Sequence, residues 1–217
     1  MNEVSITEGL TLDQTKSMIL YVANRLITNE EFLCDIDRKI GDGDHGTGMA
    51  NGAKAVIVDL TASQCIDVSA VFKKAGLAMM ESMGGASGII FSSIFLGIGK
   101  AAMKTERLST TVLSLGVKNA IDTIKKRGKA SLGDKTMLDA LIPASEVLEK
   151  NTDNNLIEAL SEATSAAYQG VEKTKDYPAK FGRAKFLGDR SLGHQDAGAT
   201  TVAIIFESME NYLKENV

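Results

Sequence analysis

The chain has 217 residues, 44% hydrophobic and 24% charged, with no tryptophan and a formal net charge of −4. That is enough chain for one sizeable core, expected as a single domain over residues 1–217. The negative balance and the absence of long basic runs argue against nucleic acid and against an anionic membrane, since both need a basic footprint.

In chain order, Met1 to Glu8 lacks a positive run followed by an apolar stretch, so no secretory signal is expected. Thr11-Leu-Asp-Gln14 reads as a capping box ahead of Met18, Ile19, Val22 and Leu26, which predicts a first helix ending near Thr28. Asn29 to Cys34 either extends it or forms a short turn. Asp37 to Gly46 is a predicted loop, and Met49 to Leu60 a second helix with Ala50, Ala53, Val56 and Ile57 on one side. A third helix is predicted from Asp67 to Ser82, then a glycine loop from Met83 to Gly88 and a largely apolar fourth helix from Ala86 to Met103. The fifth covers Ser109 to Arg127, stopped by a basic last turn and Gly128. The sixth runs from Met137 to Lys150, kinked or restarted by Pro143. The seventh spans Leu156 to Lys175 and the eighth Ala199 to Leu213, with Tyr177 to His194 between them as a long functional loop.

No stretch alternates like a strand, and two prolines among many Ala, Leu, Ile and Met favour helix. The fold class is therefore all-α. No run reaches the roughly eighteen apolar residues of a membrane span; Ile89 to Ile98 is broken by Ser92, Ser93 and Gly97. Cys34 and Cys65 match no metal spacing and are expected reduced, which suits the cytoplasm. Short links make successive helices antiparallel neighbours, so every second loop falls at the same end. The Asp37, Gly84, Gly128 and Tyr177 loops are all odd-numbered and should share one rim.

Chemistry concentrates in Asp37-Arg-Lys-Ile-Gly41-Asp42-Gly-Asp44-His45-Gly46. Three carboxylates this close repel by roughly 4 kcal/mol per pair at about 4 Å and an effective dielectric near 20. They are tolerable splayed into water as an acidic turn, or gathered around a hard cation such as Mg²⁺. An EF-hand is excluded, because the twelfth position counted from Asp42 is Ala53, not glutamate. Gly84-Gly-Ala86-Ser87-Gly88 opens a helix whose amides suit an anion, though small residues also serve close packing. Gly128 to Thr136 is a near miss for a P-loop: Asp134 precedes Lys135 and no strand leads in, leaving a weaker phosphate or base contact. Arg183, Lys185 and Arg190 can neutralise phosphate, and Asp196 is either a site residue or the N-cap of the last helix.

The segments Ile40 to Gly46, Gly84 to Gly88, Gly133 to Met137 and Gly182 to Thr200 together resemble the DhaL family, the nucleotide-binding subunits of bacterial dihydroxyacetone kinases. The resemblance implies an eight-helix antiparallel barrel with the nucleotide at one end. By position it implies that Asp37, Asp42 and Asp44 hold two Mg²⁺ ions bridging the phosphates of ADP or ATP. His45, Gly46, Thr47 and Gly48 would line the nucleotide, with Ala86 and Ser87 at the phosphates, Gly128 and Met137 near the adenosine, and Arg183, Asp196, Ala197 and Gly198 completing the pocket. Gly48 departs from the usual asparagine and Ala197 from a common proline. The activity implied is phosphoryl transfer to a short ketose held by a DhaK-type partner, with ADP recharged by a DhaM-type phosphotransferase-system protein. Direct ATP exchange and a non-catalytic nucleotide-binding role stay open, as does a homodimer. No catalytic residue is assigned beyond the metal and phosphate ligands.

Overall fold

A computed structural model describes residues 9–217, so the expectation for Met1 to Glu8 lies outside the described residues. Among these residues the chain forms nine α-helices: α1 (Leu12–Thr28), α2 (Glu30–Arg38), α3 (His45–Ala62), α4 (Val68–Met83), α5 (Gly85–Ala101), α6 (Thr110–Gly128), α7 (Leu138–Lys150), α8 (Leu156–Lys173) and α9 (Ala197–Asn216). Two 3-10 segments, Thr174–Asp176 and Ala184–Ser191, lie between α8 and α9. Extended pairing among the described residues is limited to one bridge, Leu10 with Leu108.

The helix starts are set locally. Thr11 and Gln14 form the expected capping box, and Asp67, Ser109, Asn155 and Asp196 each accept the N–H three residues on. Each long helix packs on the next in the chain, α1 against α3 and then in order to α9, and α9 returns to α1. The buried apolar residues form one cluster from Leu10 to Leu213, with Met18, Leu26, Phe72, Met79 and Phe95 fully covered. Each such side chain contributes roughly 1.5–3 kcal/mol of burial free energy, which outweighs differences in helix propensity. α5 is buried on most sides, and its Gly97 lies so close to α6 that a Cβ there would stand 2.6 Å from the Gly116 carbonyl.

The structure departs from the sequence expectations at several element ends. Glu30–Arg38 is a helix of its own, laid against α3 and α9, so Asp37 projects from a helical last turn instead of a loop. Ala86, Ser87 and Gly88 belong to the first turn of α5; only Gly84 and Gly85 take left-handed φ, 62° and 60°. The stop after α6 is Lys129 at φ 58°, not Gly128. Pro143 sits inside α7, where its missing N–H leaves the Asp139 carbonyl without a helical donor. Gly170 of α8 packs directly over that carbonyl, since a Cβ would lie 2.1 Å from it. The last helix starts at Ala197, two residues earlier than expected.

Candidate functional site

The acidic stretch wraps the end of α2 and the start of α3. Asp37 Oδ2 accepts the Gly43 amide at 2.8 Å, and Gly41 leaves room for the other oxygen, which a Cβ would approach to 2.3 Å. Asp44 stands at the N-cap position of α3 without making a capping bond. One oxygen from each of Asp37, Asp42 and Asp44 lies within 4.8 Å of the others. Burial pushes the Asp44 carboxyl up, with Asp42 beside it adding to the effect and Arg183 opposing it. Arg183 Nε meets Asp42 Oδ2 at 2.8 Å, which offsets one charge of three. An all-oxygen, net-negative cluster of this size fits a hard divalent cation such as Mg²⁺.

His45 opens α3 directly beside this cluster. Its Nε2 lies 2.8 Å from Thr201 Oγ1, and that hydroxyl donates to the Ala197 carbonyl at 3.0 Å. The hydroxyl oxygen therefore accepts from Nε2–H, which leaves Nδ1 of the neutral ring as an acceptor. Burial holds the imidazole below its ordinary pKa, against the pull of Asp37. Phe91 of α5 supports the ring at a centroid distance of 5.6 Å.

Two cavities meet at His45 and Ser87. The first, about 210 Å³, is lined by Asp37, Gly128, Met137, Asp196, Ala197 and Gly198 together with apolar walls from Ile90, Phe91, Ile124 and Phe181. The second, about 330 Å³, is lined by Asp44, Thr47, Gly48, Asn51 and the Gly84–Ala86 turn. Between them they gather the N-terminal ends of α3, α5, α7 and α9, and with them the positive ends of four helix dipoles. Gly46 lines neither cavity: it is buried against α2, where a Cβ would stand 2.0 Å from the Glu30 carbonyl. All four loops expected on one rim do converge there.

Asp139 carried no usable signal in the sequence, and the roles of Asp196 and Lys135 were only partly visible there. Asp139, 1% exposed, accepts the amides of Gly133 at 2.5 Å and Thr136 at 2.8 Å, and burial raises its pKa. It thereby shapes the loop that resembled a P-loop. Asp196 is both the cap of α9, accepting Ala199 N–H at 2.7 Å, and a wall of the first cavity. Its own amide donates to Thr174 Oγ1 at 2.9 Å. Lys135, 2% exposed, also lines the first cavity, but its ammonium donates to the carbonyls of Thr174, Tyr177 and His194. The near-P-loop pattern marked Lys135 in the sequence but not its φ of 59°, a conformation that a residue name does not reveal.

A helical domain that collects helix N-termini beside clustered carboxylates is built to take an anion through a hard cation. The chain belongs to the DAK2 domain family, whose profile matches residues 39–211. It is 37% identical over 190 residues to the ADP-binding subunit DhaL of the PEP-dependent dihydroxyacetone kinase of Escherichia coli (strain K12), covering 87% of this chain and 90% of that one. It is 36% identical over 187 residues to the D-erythrulose kinase of Mycolicibacterium smegmatis, covering 84% of this chain but 32% of that protein. The dihydroxyacetone kinase of C. freundii, solved in complex with AMP-PNP and Mg²⁺, superposes with a TM-score of 0.70 at 26% identity, over 97% of this chain and 36% of that one.

Proposed function

We propose that this chain is the nucleotide-binding catalytic subunit of a dihydroxyacetone-type kinase. It forms one domain over residues 1–217 that transfers a phosphoryl group from Mg-bound adenine nucleotide to a short ketose. The observation that carries this reading is the convergence of four helix N-termini on the Asp37, Asp42 and Asp44 carboxylates. Asp37, Asp42 and Asp44 would hold two Mg²⁺ ions, which supply charge neutralisation at the phosphates. The α3 and α5 termini, with His45, Thr47, Gly48, Ala86 and Ser87, bear on the phosphate oxygens, and Gly46 lets α3 approach close enough to do so. Gly128 and Met137 flank the base among apolar walls, while Arg183 and Asp196 to Gly198 close the pocket. Three carboxylates and a diphosphate carry roughly −6 against about +4 from two Mg²⁺, which leaves a role for Arg183 and the helix dipoles.

The ketose is held by a separate DhaK-type subunit, and a DhaM-type phosphotransferase protein recharges bound ADP. Support comes from the DhaL subunit of E. coli, which is named for a PEP-dependent kinase and aligns over 90% of its length. The erythrulose kinase keeps a four-carbon ketose as the second acceptor. Free Cys34 and Cys65 agree with a cytoplasmic setting. The decisive experiment is calorimetry with Mg-ADP and with ADP plus EDTA, followed by an assay with dihydroxyacetone, a DhaK-type subunit and either ATP or the phosphorylated phosphotransferase protein. Magnesium-dependent binding and a phosphosugar product are expected. Binding with no phosphosugar under either donor would reduce the chain to a regulatory nucleotide module.

A further inference from the structure

The loop from Tyr177 to His194 delivers Arg183 to Asp42, yet its tip is loosely held: Arg183 is 71% exposed at its side chain and Phe186 77% exposed. Its neck is the opposite. Lys135 Nζ donates to the carbonyls of Thr174 at 2.6 Å and Tyr177 at 3.3 Å on one side of the neck and His194 at 2.5 Å on the other. An ammonium has three hydrogens, so all three donors are taken and none is left for a phosphate. The neighbouring residue adds a second tie, since the Asp134 carboxylate meets Lys180 Nζ at 2.7 Å and the Asp134 carbonyl accepts Lys180 N–H. Gly193 N–H to the Lys175 carbonyl at 2.8 Å completes the closure.

We propose that Lys135 is the positioning residue of this site: its buried ammonium clamps the neck of the 177–194 loop and so sets where Arg183 meets Asp42 and an incoming phosphate. The inference rests on the nucleotide reading above and extends it to a residue that lines the cavity but whose ammonium is committed to main-chain carbonyls. Two features single out lysine. The residue is held at φ 59°, a strained conformation for a side chain with a Cβ, and retained because the loop around it is fixed by Asp139. The ammonium also stands in a field of Asp196, Asp139 and Asp176, which oppose the loss of basicity that burial causes. Removing it orphans the buried Thr174 carbonyl and two half-buried ones at once, and the cheapest relief is for the loop neck to open to water.

The test uses the full chain, first without nucleotide. Lys135→Met should keep its helix signal by circular dichroism while trypsin cuts after Arg183, Lys185 or Arg190 about tenfold faster, as expected for a locally opened segment. The Kd for Mg-ADP should then rise about tenfold. In an Arg183→Met background the same substitution should change Kd by less than about twofold, because a clamp acting through Arg183 has nothing left to place. Lys135→Gln, which keeps two donors without the charge, takes over if the methionine variant does not fold. An unchanged tryptic rate, an equal loss of affinity with and without Arg183, or unfolding of both variants overturns the clamp. Wild-type protein that ignores Mg-ADP sinks the functional reading instead, and the tryptic rates then decide the clamp by themselves.

Discussion

The two sides of the site are built on opposite principles. On the α2–α3 side, Asp42 and Asp44 are exposed, three carboxylates crowd within 4.8 Å, and a single guanidinium answers them. On the α7–α9 side, Asp139, Lys135 and Thr174 are buried, Asp196 is partly so, and their polar atoms are matched to main-chain partners. The first side is electrostatically incomplete and gains from a cation; the second is finished before any ligand arrives. Charge left unsatisfied at a surface costs little folding free energy because water screens it, whereas the same charge inside must be hydrogen-bonded or it destabilises the fold. Binding capacity therefore belongs to one wall and rigidity to the other.

The sharpest way to break this division is Asp42→Ala. Its pairing with Arg183 is solvent-exposed and worth little, so stability should move by no more than about 0.5 kcal/mol. Magnesium-dependent ADP affinity should fall more than about a hundredfold, near 2.7 kcal/mol, by calorimetry. Unchanged affinity would remove Asp42 from the site. Asp139→Ala should show the reverse pattern. Two half-buried amides lose their acceptor, for about 2 kcal/mol of stability in a urea titration, and the affinity loss should track the unfolding of the Gly133 loop.

A smaller effect comes from Asp196, whose carboxyl burial pushes up to about 7, with the Ala199 amide lowering it and Asp139 raising it further. A folded-state pKa above the unfolded value of about 3.9 gives stability that is complete below that value and lost as pH rises through about 7. Asp196→Asn keeps an acceptor for the α9 cap but cannot ionise. Its melting temperature relative to wild type should therefore climb between about pH 4 and 7 and level off above. Parallel profiles would show that Asp196 is ionised throughout. The smallest change expected is Gly48→Asn on the open wall. A Cβ there meets nothing within 4 Å, so the helix should gain about 0.3 kcal/mol from propensity. Mg-ADP binding should tighten by about threefold if the amide reaches a phosphate.

Much of this was legible in the chain itself, and unevenly. The acid cluster was readable because its members are close in sequence and its glycines announce a tight turn. The helices were readable where apolar periodicity ran for four turns, as in Leu156–Lys173. α2 was not, because nine residues with only Leu33, Cys34 and Ile36 buried are too short to display a stripe. Its existence moved Asp37 from a loop to a helix and gave Gly46 a packing partner. The Gly128–Thr136 loop was recognised as functional from its composition, but the direction of its lysine was not.

Local chemistry in the sequence determined the all-helical class, the caps at Thr11, Asp67, Ser109 and Asn155, the oxygen-rich ligand set and the gathering of the special loops at one end. Helix periodicity, capping and charge spacing all act within a few residues, which is why they can be read in one dimension. Tertiary structure alone decided the tautomer of His45, set by Thr201 from 156 residues away, and the use of Lys135 as a clamp on carbonyls 39 to 59 residues distant. Desolvation and hydrogen-bond partnership depend on what the rest of the fold brings alongside, and no spacing along the chain encodes that.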